Sequence, residues 1–392
     1  MNRKINLFVG DKVVWGLYFV LCTISLVEVF SATSTLTYKS GNYWMPFIHH
    51  AVYVGTGIVA AIVVSHIKYN WWKATPFALI LISIAFLISA FFEESINGAN
   101  RWSDAIIGIR FQPSEIAKLA LVIATAALLS NGQEDDGVNK QHLKIILVTT
   151  GIICSLIIVN DFSTAILLGA TIFIMLIIGR VKTSNLFKLG SILAGSVFIF
   201  VAIIYVTPKE TLEQIPILSR GSTWKSRLNS FMEDNKTLDF TKDAQKIHAK
   251  IAIASSNIIG KPFNSVQRDF LSQAYSDFIY AIIIEELGLL GGTIVTLLYL
   301  YLMMRAMKIG RMCKGDFGTY VVMGLSTMIV FQALCNMCVA VGIGPVTGQT
   351  LPLISRGGTS IVINSIAIGI ILSVSRFNKQ YLEAKIKKDK ND

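Results

Sequence analysis

Charge is what this sequence has least of. Charged residues make up 15% of its 392 positions and only 24 are Asp or Glu, whereas roughly a quarter of a soluble domain is charged. A water-exposed globular surface is therefore excluded. Cysteine is sparse as well: Cys22, Cys154, Cys313, Cys335 and Cys338 fall in or beside apolar runs, with neither the density of a secreted disulfide framework nor a paired CxxC zinc pattern. Cys335 and Cys338 read as small buried packing residues. His49, His50, His66, His142 and His248 show no HExxH or other metal spacing, so no metal site built from protein ligands is expected. No internal repeat is evident.

What fills the chain is hydrocarbon. Hydrophobic residues reach 53% and mean hydropathy is +0.60. Apolar stretches lie near 13–32, 46–65, 74–92, 112–130, 143–159, 162–179, 186–206, 278–303, 318–340 and 358–375, each near the ~20 residues that a bilayer crossing needs. The expected fold is an all-α polytopic membrane protein of about ten transmembrane helices. It reads as a single domain over 1–392, with one long extracytoplasmic loop at 207–277 that contains an amphipathic helix. The run from Val13 to Phe30 is longer than a signal peptide's apolar core and is expected to be a permanent helix.

Lys and Arg orient the spans, because short cytoplasmic loops retain positive residues. Alternate connections place twenty on one side, from Arg3 and Lys4 through Lys68, Lys140, Arg180, Lys182, Arg305 and Lys314 to Lys390, against Lys39, Arg101, Arg110 and Arg356 on the other. Both termini are thus expected in the cytoplasm and the long loop outside. The net charge of +11 is chiefly this topological signal, with contact to anionic membrane lipids as a secondary effect. Nucleic acid is not an expected partner.

The long connection exceeds what a compact domain leaves structureless. Within it Ile247, Ile251, Ala254 and Ile258 recur at helical spacing beside Lys246 and Lys250, which predicts an amphipathic helix lying either on the membrane surface or against other loops. Arg220, Lys225 and Arg227 surround Trp224, a combination suited to phosphate or sugar. Charges at membrane depth carry more information, since each costs about 2.5–3.5 kcal/mol at a helix centre. Glu115 and Lys118, three apart, share a helix face; Asp161 sits between two spans, Asp277 opens the eighth, Glu285 and Glu286 follow two turns inward, and Glu28 lies in the first.

Several blocks together resemble the SEDS family, named for shape, elongation, division and sporulation. They are Asn97-Gly-Ala-Asn-Arg-Trp, Phe111-Gln-Pro-Ser-Glu-Ile-Ala-Lys, Asp161-Phe-Ser-Thr-Ala, Ser276-Asp-Phe-Ile-Tyr-Ala with Glu285-Glu-Leu-Gly, Gly344-Pro-Val-Thr-Gly and Leu351-Pro-Leu-Ile-Ser-Arg-Gly-Gly-Thr-Ser. They cover nearly the whole chain in the family's order. Arg356 resembles the division branch, since the elongation branch usually has Tyr there. Asn160, Ser163 and Ser272-Gln273 depart from the family pattern, and the stretch after the amphipathic helix lacks the family's glycine-rich run.

The resemblance implies a peptidoglycan glycosyltransferase that joins lipid II disaccharides on the outer face of the cytoplasmic membrane. It would work beside a class B penicillin-binding protein and other division proteins. The family's candidate catalytic aspartate falls on Asp277, and family positions of importance fall on Arg101, Lys118 and the block Ser355, Arg356, Gly357, Gly358, Thr359, Ser360.

Physically, an acceptor sugar hydroxyl is a weak nucleophile and needs a carboxylate in reach; Asp277 fits that role, or alternatively caps the eighth helix. A pyrophosphate leaving group needs its charge stabilised, for which Arg101, Arg220, Lys118 and Arg356, all expected at or near the outer surface, are candidates. A divalent Mg or Mn ion travelling with the pyrophosphate is another route, with no cofactor built into the chain. The Arg356–Ser360 turn suits either a phosphate cradle or a glycine-permitted corner. Trp102 suits a stacked sugar or the interfacial belt. Glu115, Lys118 and Asp161 would also suit a translocase for the lipid-linked precursor, and a noncatalytic scaffold is the third alternative.

Overall fold

A computed structural model describes residues 7–32, 44–93, 103–106, 109–135, 137–208, 221–232, 244–261 and 275–389. The helices are α1 (Lys12–Ala32), α2 (Met45–His66), a short α3 (Asn70–Ala74), α4 (Pro76–Ser89, extended by a 3₁₀ turn Ala90–Phe92), α5 (Pro113–Asn131), α6 (Lys140–Ile158), α7 (Phe162–Ile178), α8 (Thr183–Val206), α9 (Gly221–Met232), α10 (Ala244–Ser255), α11 (Ile279–Arg311), α12 (Asp316–Ala340) and α13 (Thr359–Asp389). Two small antiparallel pairs, β1 (Ser103–Ile106) with β2 (Ile109–Phe111) and β3 (Gln133–Glu134) with β4 (Gly137–Val138), turn the connections flanking α5. Among the described residues, eight helices are long and apolar enough to cross a bilayer, and Pro76–Phe92 and Phe162–Ile178 are shorter apolar ones. These ten correspond to the ten expected spans, so the fold is a polytopic helical bundle.

Local sequence starts these helices in a recognisable way. Pro stands in the first turn of α2, α4 and α5, where its missing N–H costs nothing. Asn139 caps α6 through the Gln141 N–H at 2.8 Å, and Asp161 caps α7 through the Thr164 N–H at 3.2 Å. Lipid gives apolar helices no reason to leave it, so contact relies on close approach and buried polar bonds. A Cβ on Gly57 would lie 2.6 Å from Ser365 Oγ, and one on Gly369 would lie 2.9 Å from the Ala61 carbonyl, which explains how α2 and α13 lie so close. The centre is α5, α12 and α13, with 83%, 72% and 72% of their apolar windows buried; α8 stands at the edge with 6%.

Two long helices depart from the expected bounds. The last runs well past residue 375, to Asp389. The eighth span continues to Arg311 and is broken at Gly288, whose φ of 73° and ψ of −178° no helix contains. The break frees backbone groups at membrane depth, and the segment after α10 supplies their partners. Leu289 N–H donates to the Asn257 carbonyl at 3.1 Å, Leu290 N–H to that of Ile258 at 3.2 Å, and Lys261 N–H to that of Glu285 at 3.1 Å. A Cβ at Gly288 would collide with the Ile258 carbonyl, and Gly260, φ 82°, faces Gly288 with the same exclusion.

The amphipathic helix is α10, and it is packed: Ile247, Ala249 and Ala252 are buried and it lies against α11 and α12. Ile251 and Ile258 stay exposed. Cys335 and Cys338 correct the sequence reading. The first is half-buried and the second exposed, because the face of α12 that carries Cys338 turns away from the bundle.

The face that bears the start of α1 is locked by an ion pair. Asp11 receives the Val13 and Val14 N–H groups at 2.9 and 3.1 Å and the Arg305 guanidinium at 2.5–3.0 Å. Burial pushes the Asp11 carboxyl up, but the Arg305 and backbone hydrogen bonds and the Arg305 charge outweigh it and hold it below the usual range. Nearby, Asn378 of α13 donates to the Ile309 carbonyl and Ser373 to that of Ile67, so α1, α2, α11 and α13 meet at this terminal face. The opposite, loop face carries Asp161, Asp277 and the α12–α13 connection.

Two outcomes follow from these contacts. Gly288→Ala is expected to cost about 1–3 kcal/mol or more through its backbone conformation alone, lowering the melting temperature in detergent, whereas Gly16→Ala, which meets open space, leaves it unchanged or slightly raised. Because Asp11 is more acidic folded than unfolded, its clamp contributes stability above the ordinary carboxylate range and loses it as pH falls through about 4 and below. The melting difference between wild type and Asp11→Asn should accordingly be present near neutral pH and shrink toward about pH 3.

Candidate functional site

The connection between α12 and α13, residues 341–358, is irregular, and its stretch from Leu351 to Ser355 is nevertheless buried. Leu351, Leu353, Ile354 and Ser355 are at most 1% exposed, and Leu353 itself has φ 66°, a conformation that costs a non-glycine residue about 1–3 kcal/mol. Non-helical backbone at bilayer depth persists only if protein groups satisfy it. Here helix side chains do so. Gln332 Nε2 donates to the Thr350 carbonyl at 3.1 Å, Asn336 Nδ2 to that of Gln349 at 2.7 Å, Ser25 Oγ to that of Ile354 at 2.7 Å, and Tyr299 Oη to that of Pro352. The Leu351 N–H donates to Ser355 Oγ at 2.7 Å.

The same connection holds the turn before α11. Ser355 Oγ donates to the Ser276 carbonyl at 2.6 Å, the Arg356 N–H to that of Tyr275 at 2.9 Å, and the Arg356 guanidinium lies 5.3 Å from the Tyr275 ring centre. Asn336 Nδ2 reaches the Asp277 carbonyl at 2.8 Å as well, so one amide ties both strands of this junction. Asp277 is half-buried, and its Oδ1 accepts the Ser276 hydroxyl at 2.9 Å. It precedes the N-cap position, which Phe278 occupies, so capping α11 does not account for it.

The remaining predicted residues converge on this framework from behind. Lys118 is 0% exposed, and its ammonium donates to Glu115 at 2.8 Å and Gln332 Oε1 at 2.7 Å. Lys118 does meet Glu115 on one helix face as expected, but it is fully buried rather than open to a ligand: the ammonium holds the amide that holds Thr350. Asp161 is 2% exposed and receives Gln349 Nε2 at 3.4 Å, while the same amide donates to Thr164 at 2.7 Å. Ser360 is buried and binds Asn364; the Gln112 N–H donates to Thr359 Oγ1 at 3.3 Å; Gly357 and Gly358 remain partly exposed, the latter at φ 48°. Ser355 is likewise buried, so the block divides: Ser355 and Ser360 are internal, Arg356 to Thr359 partly open.

On the far side of Gln349, an apolar cavity of about 320 Å³ opens between α7, α8 and α12, walled by Phe162, Val201, Ile204 and Phe331. Trp224 and Arg227 of α9 close its end. The Trp224 ring meets Phe162 edge-on at 5.1 Å, the Arg227 guanidinium lies 5.6 Å from the Trp224 ring centre, and it donates to the Val346 carbonyl at 2.9 Å. Lys225 turns instead to the Thr207 carbonyl. Arg101, Trp102 and Arg220 lie outside the described residues. Among the described residues no three His, Cys, Asp or Glu side chains gather into a metal-binding group.

The sequence reading missed the neutral residues that organise all this, Gln332, Asn336 and Gln349. A signal existed: Gln332 and Asn336 stand four apart in an apolar span, on one face, where polar side chains ordinarily bond across helices.

A family model described as cell cycle protein, covering FtsW, RodA and SpoVE, matches residues 11–380. The chain is 31% identical to a Haemophilus influenzae protein named probable peptidoglycan glycosyltransferase FtsW, over 95% of this chain and 91% of that one. It is 32% identical to the Bacillus subtilis protein of the same name, over 94% and 91%. Its fold is similar to a chain in a structure described as structural coordination of polymerization and crosslinking by a peptidoglycan synthase complex, with TM-score 0.72, 22% identity and 95% and 99% coverage. It is also similar to Thermus thermophilus rod shape determining protein RodA, with TM-score 0.65, 19% identity and 96% and 98% coverage.

Replacing Asn336 by Leu removes the donor to both carbonyls at the junction. The cost for the buried Gln349 carbonyl alone should be about 1–3 kcal/mol, read as a lowered melting temperature, while Cys338→Ala on the exposed face of the same helix leaves melting nearly unchanged.

Proposed function

The chain belongs to the cell cycle protein family of FtsW, RodA and SpoVE, and from that premise we propose that it is a peptidoglycan glycosyltransferase polymerising lipid II. The observation that carries this reading is the placement of Asp277: a half-buried carboxylate at the loop face, held by a turn whose backbone is bound on both sides.

In the proposed reaction the 4-hydroxyl of the acceptor sugar attacks the anomeric carbon of the donor. The new C–O bond forms as the bond to the undecaprenyl pyrophosphate breaks, the pyrophosphate leaves with the electron pair, and the hydroxyl proton passes to Asp277. Because the Asp277 main chain is fixed through Asn336 and the adjacent serine, its carboxylate is positioned before substrate arrives, which removes reorganisation from the step. Arg356, held against Tyr275 one residue from the same turn, supplies positive charge for the leaving pyrophosphate. Arg101 and Arg220 are proposed to join it from the neighbouring loops. A magnesium or manganese ion carried by the pyrophosphate would add positive charge for the leaving group, leaving Asp277 to accept the proton.

The expected setting is the cytoplasmic membrane with both termini inside and Asp277 facing outward, supported by the Lys and Arg distribution. Residues 207–277 act as the extracytoplasmic loop of a single membrane domain. The FtsW names of the relatives and Arg356 favour division. The likeness to a chain from a peptidoglycan synthase complex supports a class B penicillin-binding protein as the crosslinking partner.

The test is polymerisation of purified lipid II in detergent, where no second compartment exists and translocation alone yields no glycan. Asp277→Asn keeps the shape and removes the base; polymer formation should fall at least about 100-fold with melting little changed. Unchanged polymerisation would remove Asp277 from this role.

A further inference from the structure

Helix α2 lies beside the turn that carries Arg356, and the proposed reaction gives it no part. One side of the helix meets that turn and the start of α13 at successive helical turns. His50 is near enough to Arg356 for the guanidinium charge to act on its ring. A Cβ on Gly358 would stand 3.6 Å from Cζ of Tyr53, and one on Gly57 would press on Ser365.

His50 is 0% exposed, and the hydrogen bonds around it fix where its proton sits. Ser25 Oγ lies 2.7 Å from the Ile354 carbonyl and 2.8 Å from His50 Nε2. A carbonyl only accepts, so the single hydroxyl hydrogen goes to Ile354 and the ring must donate from Nε2. Serine inside a helix ordinarily turns its hydroxyl back to a carbonyl of its own helix, as Ser83 and Ser365 do with Leu79 and Ile361. Ser25 reaches across to another segment instead, and the imidazole N–H on its lone pair holds it there. The second ring nitrogen, Nδ1, is buried and has no partner among the described residues. A side chain that only filled space would leave no polar atom bare in this way, which points to a use for the Nε2 donor.

The bond that this donor secures is two residues from Arg356. Leu353 has φ 66°, a conformation that persists only where its surroundings impose it. Ile354 follows, tied to Ser25, and then Ser355 and Arg356, tied to the Ser276 and Tyr275 carbonyls. Every one of these ties is made by an uncharged group. Among the described residues Arg356 makes no ion pair, and its guanidinium lies against the Tyr275 ring. A carboxylate in place of His50 would draw Arg356 into a pair, and a cation would repel it. A neutral donor fixes the turn and leaves the guanidinium charge for an anion.

We propose that His50 is a positioning residue of the leaving-group site: through Ser25 and the Ile354 carbonyl it holds Arg356 where the pyrophosphate of the donor lipid binds. The inference rests on the role given to Arg356 above and adds to it a residue that touches no substrate.

The experiment measures equilibrium binding of undecaprenyl pyrophosphate to the purified full chain in detergent, so affinity is read without turnover. R356Q should weaken binding most. H50L, which keeps the bulk and removes the donor, should weaken it about tenfold, the equivalent of ~1.4 kcal/mol and within the cost of one bare buried carbonyl. S25A should match H50L, and H50L/S25A should be no weaker than either, because the two residues act in one chain of bonds. H50Q, whose amide nitrogen stands as many bonds from the main chain as Nε2, should restore wild-type affinity. In an R356Q background H50L should change nothing further, a result that general loosening of the bundle would not give. If H50L does not fold, S25A alone and in the R356Q background carries the test. Wild-type affinity in H50L or S25A, or a full loss on adding either to R356Q, would overturn the inference and leave the role of Arg356 intact. Unchanged binding in R356Q would overturn both, while polymerisation by Asp277→Asn reports separately on the reaction.

Discussion

An unwound stretch of chain at bilayer depth has no water to bond to, and this is the constraint on which the structure depends. Each bare carbonyl in such a place costs several kcal/mol. The α12–α13 connection presents a row of them, and Ser25, Tyr299, Gln332 and Asn336 answer them from three helices. These four polar residues in apolar spans are the partners without which residues 349–356 could not lie inside.

The buried charges follow from the same need. Removing Lys118 from water is expensive, and its ion pair with Glu115 does not by itself make the arrangement favourable over an apolar one. What the ammonium gains is a fixed orientation for Gln332, whose other end binds Thr350. Asp161 acts in parallel: it caps α7 and receives Gln349, the neighbour of Thr350. Two acidic groups and one base thus stand behind a short run of backbone whose far side touches the Asp277 turn. The pair Glu286 and Ser31 joins α11 to α1 by a similar bond near the last turn of α1.

What was legible in the sequence divides along this line. The ten spans could be read because hydrocarbon thickness demands a length, and length survives in a sequence as an uninterrupted apolar run. Asp277 stands out in the sequence as a carboxylate at the start of a span, but position alone left it equally a helix cap, and its candidate role came from the resemblance to the SEDS blocks. The buried connection was not found, since Leu351-Pro-Leu-Ile reads equally well as a surface loop or an inward fold, and only its distant partners decide. The burial of Lys118 was not legible for a related reason: position near a helix start indicates depth but not which neighbours from other helices face it. Gln332 and Asn336 were passed over because single neutral amides carry little weight beside charges, although here their hydrogen bonds set the site. The break at Gly288 depends on residues 257–261, 27 to 31 positions earlier in the chain, and no local pattern joins the two.

That break bears on how Asp277 is held. Had α11 been continuous from Ile279 to Arg311, the orientation of its first turns would be set by the whole length of the helix and by Arg305 at the other end. Gly288 interrupts this, and the first segment, Ile279 to Leu287, is instead fixed by the Asn257–Lys261 backbone on one side and by Ser355 and Asn336 acting on Ser276 and Asp277 on the other. The carboxylate therefore takes its position from the loop-face structures around it rather than from the far end of its own helix. Any force that shifts α10 is transmitted through Gly260 and Gly288, where no side chain fits, to the nine residues that begin immediately after Asp277 and Phe278.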